Sequence, residues 1–326
     1  MAGTSARVIN IGKVLRKRMK IAVMGAGAIG CYFGGRLAAA GEEVHFIARG
    51  AQLQALRDKG LQIFSPHGDA YLPKVLTAAH PQEVGPVDIV LFCVKLWDTD
   101  VGTELIKPML RPDTGVYSFQ NGIYAEKRLA ELLGPQHIIG GYAATPATLI
   151  EPAVVRQYGQ WCTLEFGEMD NRRTSRVEQL LAACQRAKID SLISEDIEAA
   201  LWSKFIFITV HSGATSLCRA TEGPIRSDPW GRRLLRGLAE EGTTVARANG
   251  IRIAADFPDY VMHQIDGLPP EAEGSMYTDL RRGARLELEW LNGLMVKIAE
   301  EAGIETPSHR AVMQGLNLHA AGKASR

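Results

Sequence analysis

Beyond residue 19 the chain alternates short apolar runs with amphipathic stretches. Residues 21–24 and 44–48 are compact apolar runs and read as strands. Residues 29–40, rich in Ala and Leu, and 51–59, closed by Gly60, read as helices. Residues 89–94 (IVLFCV) are apolar at every position between Asp88 and Lys95, the pattern of a strand buried on both faces. Residues 116–119 form another strand, ending in the turn signal Gln120-Asn121-Gly122. Strands alternating with helices predict a parallel α/β sheet.

After about residue 190 the period changes to helical. Helices are predicted over 195–216, 230–249, 257–265, 275–282, 286–302 and 308–319. Gly250 and Gly303 stand as stop signals, and Pro307 opens the last helix. No period of 20–50 residues recurs. The expected organisation is a basic leader over 1–18 outside the fold, a dinucleotide-binding α/β domain over 19–194, an all-helical domain over 195–320, and a tail over 321–326. The leader carries Arg7, Lys13, Arg16, Lys17 and Arg18 with no acid, and its apolar positions are too broken for a secretory signal.

Composition narrows the partners. The 326 residues include 37 Lys+Arg and 36 Asp+Glu, a formal net charge of +1, so no global basic field invites nucleic acid. No apolar run reaches the ~18 residues that span a bilayer. The five cysteines, Cys31, Cys93, Cys162, Cys184 and Cys218, lack C-x-x-C spacing. That argues against a disulfide framework or zinc site and for a reducing, cytoplasmic compartment. Cys31 and Cys93 read as small buried hydrophobes. His211 and His263 lack ligand spacing and read as packed or surface side chains.

The chemistry begins at Gly25-Ala26-Gly27-Ala28-Ile29-Gly30, a G-x-G-x-x-G run between a predicted strand and a predicted helix. Gly25 permits the tight turn, Gly27 lets a pyrophosphate approach the backbone, and Gly30 lets helix and strand pack closely. The pyrophosphate would meet free N–H groups at the helix start. About 20 residues on, an NAD enzyme usually places an acid for the ribose hydroxyls. Here Ala48-Arg49-Gly50 stands instead. A guanidinium pairs with a 2′-phosphate that an acid would repel, so NADP is expected over NAD.

These segments, with Val94-Lys95, Gln120-Asn121-Gly122, Leu201-Trp202-Ser203-Lys204, Ser275-Met276 and Asp279, Glu287, and Asn292-Gly293 in that order, resemble the ketopantoate reductases (2-dehydropantoate 2-reductases) of pantothenate and coenzyme A synthesis. The resemblance runs from about Met19 to Asn317. It implies a Rossmann-type domain followed by a helical domain like the C-terminal one of 6-phosphogluconate dehydrogenase. It also implies NADPH-dependent reduction of 2-dehydropantoate to pantoate. By position, Lys204 resembles the proton donor to the ketone oxygen and Glu287 the acid near the substrate hydroxyl and the lysine. Asn121 resembles a contact to nicotinamide and substrate, Ser275 a donor to the substrate carboxylate, and Lys95 a lysine near the cofactor.

Physical chemistry agrees with these roles. Reducing a 2-keto acid builds negative charge on the carbonyl oxygen, which a positioned cation stabilises and protonates. Lys204 is flanked by Trp202 and by Phe205-Ile206-Phe207-Ile208, and an apolar setting lowers a lysine pKa. A break at Gly283 would start a helix near Leu286 and put Glu287 in its first turn, where the dipole favours a carboxylate. It would also let Glu287 and Ser275 converge, which a straight helix of ~18 Å would prevent. With the cofactor motifs before residue 125 and Lys204, Ser275 and Glu287 in the helical half, the site is expected in the cleft between the domains.

The pattern departs on the helix after Lys204. Family members place asparagines one and two turns on, where this chain has Ile208 and Ser212, and Ala272 stands where some carry another polar contact. Ser212 keeps a hydroxyl for the substrate, whereas Ile208 suits a 2-keto acid with a more apolar tail. A paralogous 2-keto acid reductase is therefore one alternative. A non-catalytic NADP sensor is another, which Lys204 and Glu287 argue against, since sensing needs no proton donor. The helical domain is the candidate bearer of a homodimer interface.

Overall fold

The computed structural model describes residues 18–323. The expected leader falls outside them except for Arg18, as does the expected tail beyond Lys323.

The chain opens with β1 (Lys20–Met24), α1 (Ala28–Ala39), β2 (Glu43–Ile47), α2 (Gly50–Lys59), β3 (Leu61–Phe64), β4 (Ala70–Leu72) and β5 (Leu76–Ala78). It continues through β6 (Ile89–Phe92), α3 (Thr99–Ile106), β7 (Gly115–Ser118), α4 (Tyr124–Leu133) and β8 (Ile138–Ala144). Then follow β9 (Ala147–Glu151), β10 (Val154–Gln157), β11 (Thr163–Glu168), α5 (Ser175–Arg186) and β12 (Asp190–Ile193). Eight strands form one sheet in the order β12-β11-β8-β7-β6-β1-β2-β5. Every neighbouring pair is parallel except β8 with β11, so the expected parallel sheet is mixed toward one edge. A second sheet, β4-β3-β10-β9, packs beside α1 and was not legible in the pattern. Its strands are short and partly wet, with Tyr71 exposed, and carry little period-2 signal.

β1 shows why the main sheet holds. Ile21 and Val23 pack on one face with Phe33, Leu37 and Phe46, while Ala22 and Met24 pack on the other with Val90, Phe92 and Val116. Both faces are covered, which requires an apolar residue at nearly every position. The 89–94 run meets that description over Ile89–Phe92, and Cys93 and Val94 then leave the sheet half-buried. Cys31 lies in the core, and all five cysteines are free thiols.

The helical half comprises α6 (Ile197–Cys218), α7 (Glu222–Ser227), α8 (Pro229–Ala248), α9 (Phe257–Gly267), α10 (Ser275–Arg282), α11 (Asn292–Glu301) and α12 (Pro307–Leu316). Asp196 caps α6 by accepting from the Ala199 N–H. α6 is the central post, packed by α8, α10 and α12. No helix among the described residues is long and apolar enough to cross a membrane.

One predicted helix is corrected. Residues 286–302 do not form one helix: α10 stops at Gly283 (φ +67), an extended stretch runs to Glu287, and a turn leads into α11 at Asn292. Leu286 and Leu288 are buried two residues apart, and the Leu286 N–H is spent on the Ala320 carbonyl. The Glu287 carbonyl takes the Trp290 and Leu291 amides as a turn instead of opening a helix. Glu287 therefore gains nothing from a helix dipole.

α11 and α12 are locked to α6 by a buried polar knot. The Asn292 amide donates to the Thr209 carbonyl at 3.1 Å and lies 3.0 Å from Nδ1 of His309, whose Nε2 lies 3.1 Å from the Leu238 carbonyl. A neutral imidazole protonated on Nε2 satisfies both sides. Burial pushes His309 down to about 4. As pH falls the unfolded chain takes this proton first, near pH 6.5. The stability from His309 is thus full above that value and lost progressively toward pH 4, by about 3 kcal/mol in all. Urea unfolding between pH 7 and 4 should show this slope, flattened in His309→Gln. An identical slope in the variant would contradict the assignment.

Candidate active site

The first part of the site follows from strand order. The chain enters the sheet at β1, winds outward through β2 toward β5, then crosses back to β6, which opens a crevice at the carboxyl ends of β1 and β6. Gly25 sits there at φ +97, and an added Cβ would come within 2.8 Å of the Cys93 carbonyl. At Gly30 a Cβ would fall 2.3 Å from the Gly25 oxygen and 2.7 Å from Val23. At Gly27 it would meet nothing within 4 Å. Two glycines are thus demanded by the protein's own packing, and the middle one faces open space.

α1 begins at Ala28 with no side-chain cap and no acid in its first turn, leaving its leading N–H groups suited to an anion. Ala26 is buried and donates to the Ile47 carbonyl, while Ala28 and Ile29 are half-buried. Arg49, the N-cap residue of α2, stands beside this loop, exposed, and its side chain makes no ion pair or hydrogen bond among the described residues. Sequence reading passed over Gln52, which ties the cradle together. Its amide donates to the Ala26 carbonyl at 2.9 Å and its oxygen accepts from the Ala153 N–H at 3.0 Å. An isolated glutamine on a helix carries no signal of that role.

The second part comes from the helical half. The start of α6 lies against β8, where a Cβ on Gly140 would touch Ile197 and Leu201. One turn on, Lys204 is half-buried, with its ammonium 5.6 Å from the centre of the Phe207 ring and no hydrogen bond or ion pair among the described residues. Desolvation pushes Lys204 down to about 8. The Gln120-Asn121-Gly122 turn reaches the same region: a Cβ on Gly122 would lie 3.5 Å from the Trp290 carbonyl and 3.6 Å from Phe205. Gln120 fixes this turn by donating to the Val94 carbonyl and the Thr99 hydroxyl at 3.0 and 2.9 Å. Asn121 is half-buried at its tip.

Glu287 is 7% exposed and bridges the halves, its Oε1 accepting from the Leu96 N–H at 3.2 Å. Lys95 pairs with Asp279 at 3.1 Å. Desolvation alone would lower the Lys95 pKa, but the Glu287 and Asp279 carboxylates outweigh it and raise it. Lys95, Leu96 and Gly122 from one half thus meet Asp279, Glu287, Phe205 and Trp290 from the other.

The two serines diverge. Ser275 is the exposed first residue of α10. Ser212 is fully buried, its hydroxyl unpartnered, and a Cβ on Gly274 would lie 2.5 Å from it. Gly274 therefore stands between Ser212 and the surface that Ser275 shares. Ile208 is 8% exposed, one turn beyond Lys204. His211 is held by Glu222 at 2.7 Å and His263 is exposed. No group of described residues could hold a metal ion.

Comparisons with known proteins agree with this geometry. The ketopantoate reductase PanE/ApbA family matches residues 21–171, and the ketopantoate reductase PanE/ApbA C-terminal family matches residues 196–320. A 2-dehydropantoate 2-reductase of Archaeoglobus fulgidus is 32% identical over 295 residues, covering 90% of this chain and 95% of that protein. The crystal structure of 2-dehydropantoate 2-reductase from Geobacter metallireducens superposes with a TM-score of 0.87 at 32% identity, covering 92% of this chain and 99% of that one. A D-mandelate dehydrogenase solved with NADH and anilino(oxo)acetate shares the fold at a TM-score of 0.84 and 21% identity, covering 93% of this chain and 98% of that one.

Fold, cleft and relatives together define an oxidoreductase that acts on a keto group with a nicotinamide dinucleotide. The chain belongs to the ketopantoate reductase family.

The cradle separates folding from binding. Gly27→Ala should leave the melting temperature within about 2 °C, because nothing fills the added space, yet weaken dinucleotide binding at least tenfold. Gly25→Ala should lower thermal stability, since both φ and the Cys93 backbone oppose a side chain. Thermal melts and fluorescence titration decide. Tight binding by Gly27→Ala would show that the pyrophosphate does not lie there.

Proposed function

We propose that this enzyme is an NADPH-dependent 2-keto acid reductase whose substrate is 2-dehydropantoate. The observation that carries the reading is Lys204, a desolvated ammonium on α6, beside Phe205, with no ion pair among the described residues. When bound, the nicotinamide supplies the hydride. The chain's own residues do the rest. Lys204, at about 8, is roughly nine-tenths ammonium at pH 7 and still acidic enough to give its proton to the carbonyl oxygen. Ser275 and Asn121 offer neutral donors to a carboxylate, and Glu287 offers an acceptor to the hydroxyl that forms. A small 2-keto acid as partner and a cytoplasmic setting that keeps the five thiols reduced go with this reading.

A second reading keeps the chemistry and changes the substrate. Ile208 is apolar and Ser212 is closed off beneath Gly274, so neither offers an open polar group to the 4-hydroxyl of ketopantoate. An unpaired hydroxyl costs about 1–3 kcal/mol, roughly 5- to 150-fold in kcat/KM. NADPH oxidation with ketopantoate, its analogue lacking the 4-hydroxyl, and a panel of other 2-keto acids separates the readings. A strong preference for ketopantoate supports the first, indifference to the hydroxyl the second, and no turnover with any of them would sink both.

Lys204→Ala should lower kcat by roughly 100- to 10,000-fold while NADPH affinity holds. The donor form is lost as pH rises through about 8, so wild-type reduction should decline above that value. Circular dichroism must show the variant folded. Near-normal turnover would remove Lys204 from the mechanism.

Arg49→Ala should weaken NADPH by about 1.5–3 kcal/mol and leave NADH nearly unchanged, since a charged bidentate pair is lost. Wild-type protein that binds NADH as tightly as NADPH would overturn the cofactor assignment.

A further inference from the structure

Three contacts join the turn after β6 to α10 and to the stretch between α10 and α11. Lys95 pairs with Asp279, and Glu287 accepts from the Leu96 N–H. The third is an arginine between two indoles. The Arg285 guanidinium lies 4.9 Å from the centre of the Trp97 ring and 5.4 Å from that of Trp290. The two rings are 6.4 Å apart and tilted by 54°, a wedge open to the cation. Trp97 belongs to the nucleotide-binding half, whereas Arg285 and Trp290 belong to the helical half.

We propose that Arg285 is a positioning residue for the reaction site, its guanidinium clamping the Lys95-Leu96-Trp97 turn to the segment that carries Glu287. Placement carries this. Arg285 precedes Glu287 by two residues and Trp97 follows Lys95 by two, so the clamp sits one step outside both cleft residues. Arg285 makes no ion pair among the described residues, although Asp279 and Glu287 are close in sequence. Its charge is met by the negative ring faces. On its own side the segment is anchored independently, by the Leu286 N–H on the Ala320 carbonyl and by the Glu287 turn. The other two cross-cleft contacts use Lys95 and Glu287, which the reductase reading assigns to cofactor and substrate. Ligands compete for those groups. Arg285 has no such second duty and keeps the register when the other two contacts are given up.

The inference rests on the reductase reading only for what is positioned, so the test has one arm that needs no turnover. The Leu96 amide reports the clamp, because its hydrogen is held by Glu287. Hydrogen exchange on the ligand-free full-length protein should show residues 95–98 exchanging about 5- to 30-fold faster in Arg285→Met, the worth of two exposed cation–π contacts. β6 and α11 should be unchanged. Arg285→Lys, which keeps a cation, should recover most of the protection. In the second arm, kcat with the best 2-keto acid should fall by a similar factor in Arg285→Met, with the NADPH dissociation constant within threefold of wild type. Unchanged exchange at 95–98 overturns the clamp. Faster exchange with normal kcat overturns the positioning role. A wild type that reduces no 2-keto acid refutes the reductase reading, and the exchange arm still decides the clamp. Should Arg285→Met not fold, Trp290→Leu removes one ring face from Arg285 and carries the same expectations at 95–98.

Discussion

At the carboxyl ends of β1 and β6 two backbones meet with no room for a side chain between them. Gly25 turns at φ +97 against the Cys93 carbonyl, and much of the site inherits its position from that contact. It sets where α1 starts, and therefore where unpaired N–H groups point. It holds the Cys93-Val94-Lys95 exit beside the glycine loop, so the residues that cross to the helical half leave from the crevice itself. Gln120 then ties the end of β7 to the same exit through the Val94 carbonyl. Three strand ends are fixed to one another before any ligand arrives.

The helical half meets this platform with charge rather than apolar surface at the mouth of the cleft. Lys95, Asp279, Glu287 and Arg285 gather there, with Trp97 and Trp290 supplying the flat faces among them. The Lys95 side chain is half exposed, so its ion pair is screened and weak. Such contacts suit a cleft that must admit and release ligands. The strong apolar packing lies deeper, around α6 and within the sheet, where it does not have to open.

Much of this was legible in the sequence because the underlying rules are local. An apolar run bounded by Asp88 and Lys95 has few solutions other than a doubly buried strand, and the glycine spacing has meaning only between a strand and a helix. The readings that failed depend on distant partners. The 286–302 stretch has helix-compatible residues, yet Leu286 gives its N–H to Ala320 and leaves the helix unformed until Asn292. Ser212 shares a helix face with Lys204, but Gly274 arrives from sixty residues away and covers it. Gln52 and Arg285 look like any surface residues until the fold brings them to the Ala26 carbonyl and to the two indoles. The second sheet joins β3 to β10 across some ninety residues, a pairing no window of sequence contains.

Lys204 shows what the fold sustains for the site it builds. Its pKa falls from 10.5 to about 8 by desolvation, with no carboxylate among the described residues to offset the loss. Below pH 8 the folded protein carries the full penalty, about 3 kcal/mol, and the penalty disappears only above the unfolded value near 10.5. A counter-ion would relieve it and raise the pKa, which would make the ammonium a poorer acid. Elsewhere the same protein neutralises buried charge readily, as Arg176 does for Glu168 and Arg186 for Glu42. The lysine shares its lack of a charged partner among the described residues with Glu126, which burial pushes up to about 8. Lys204 stands on the most heavily buried helix, where the packing of Phe205, Ile206 and Val210 supplies more than enough stability to carry it.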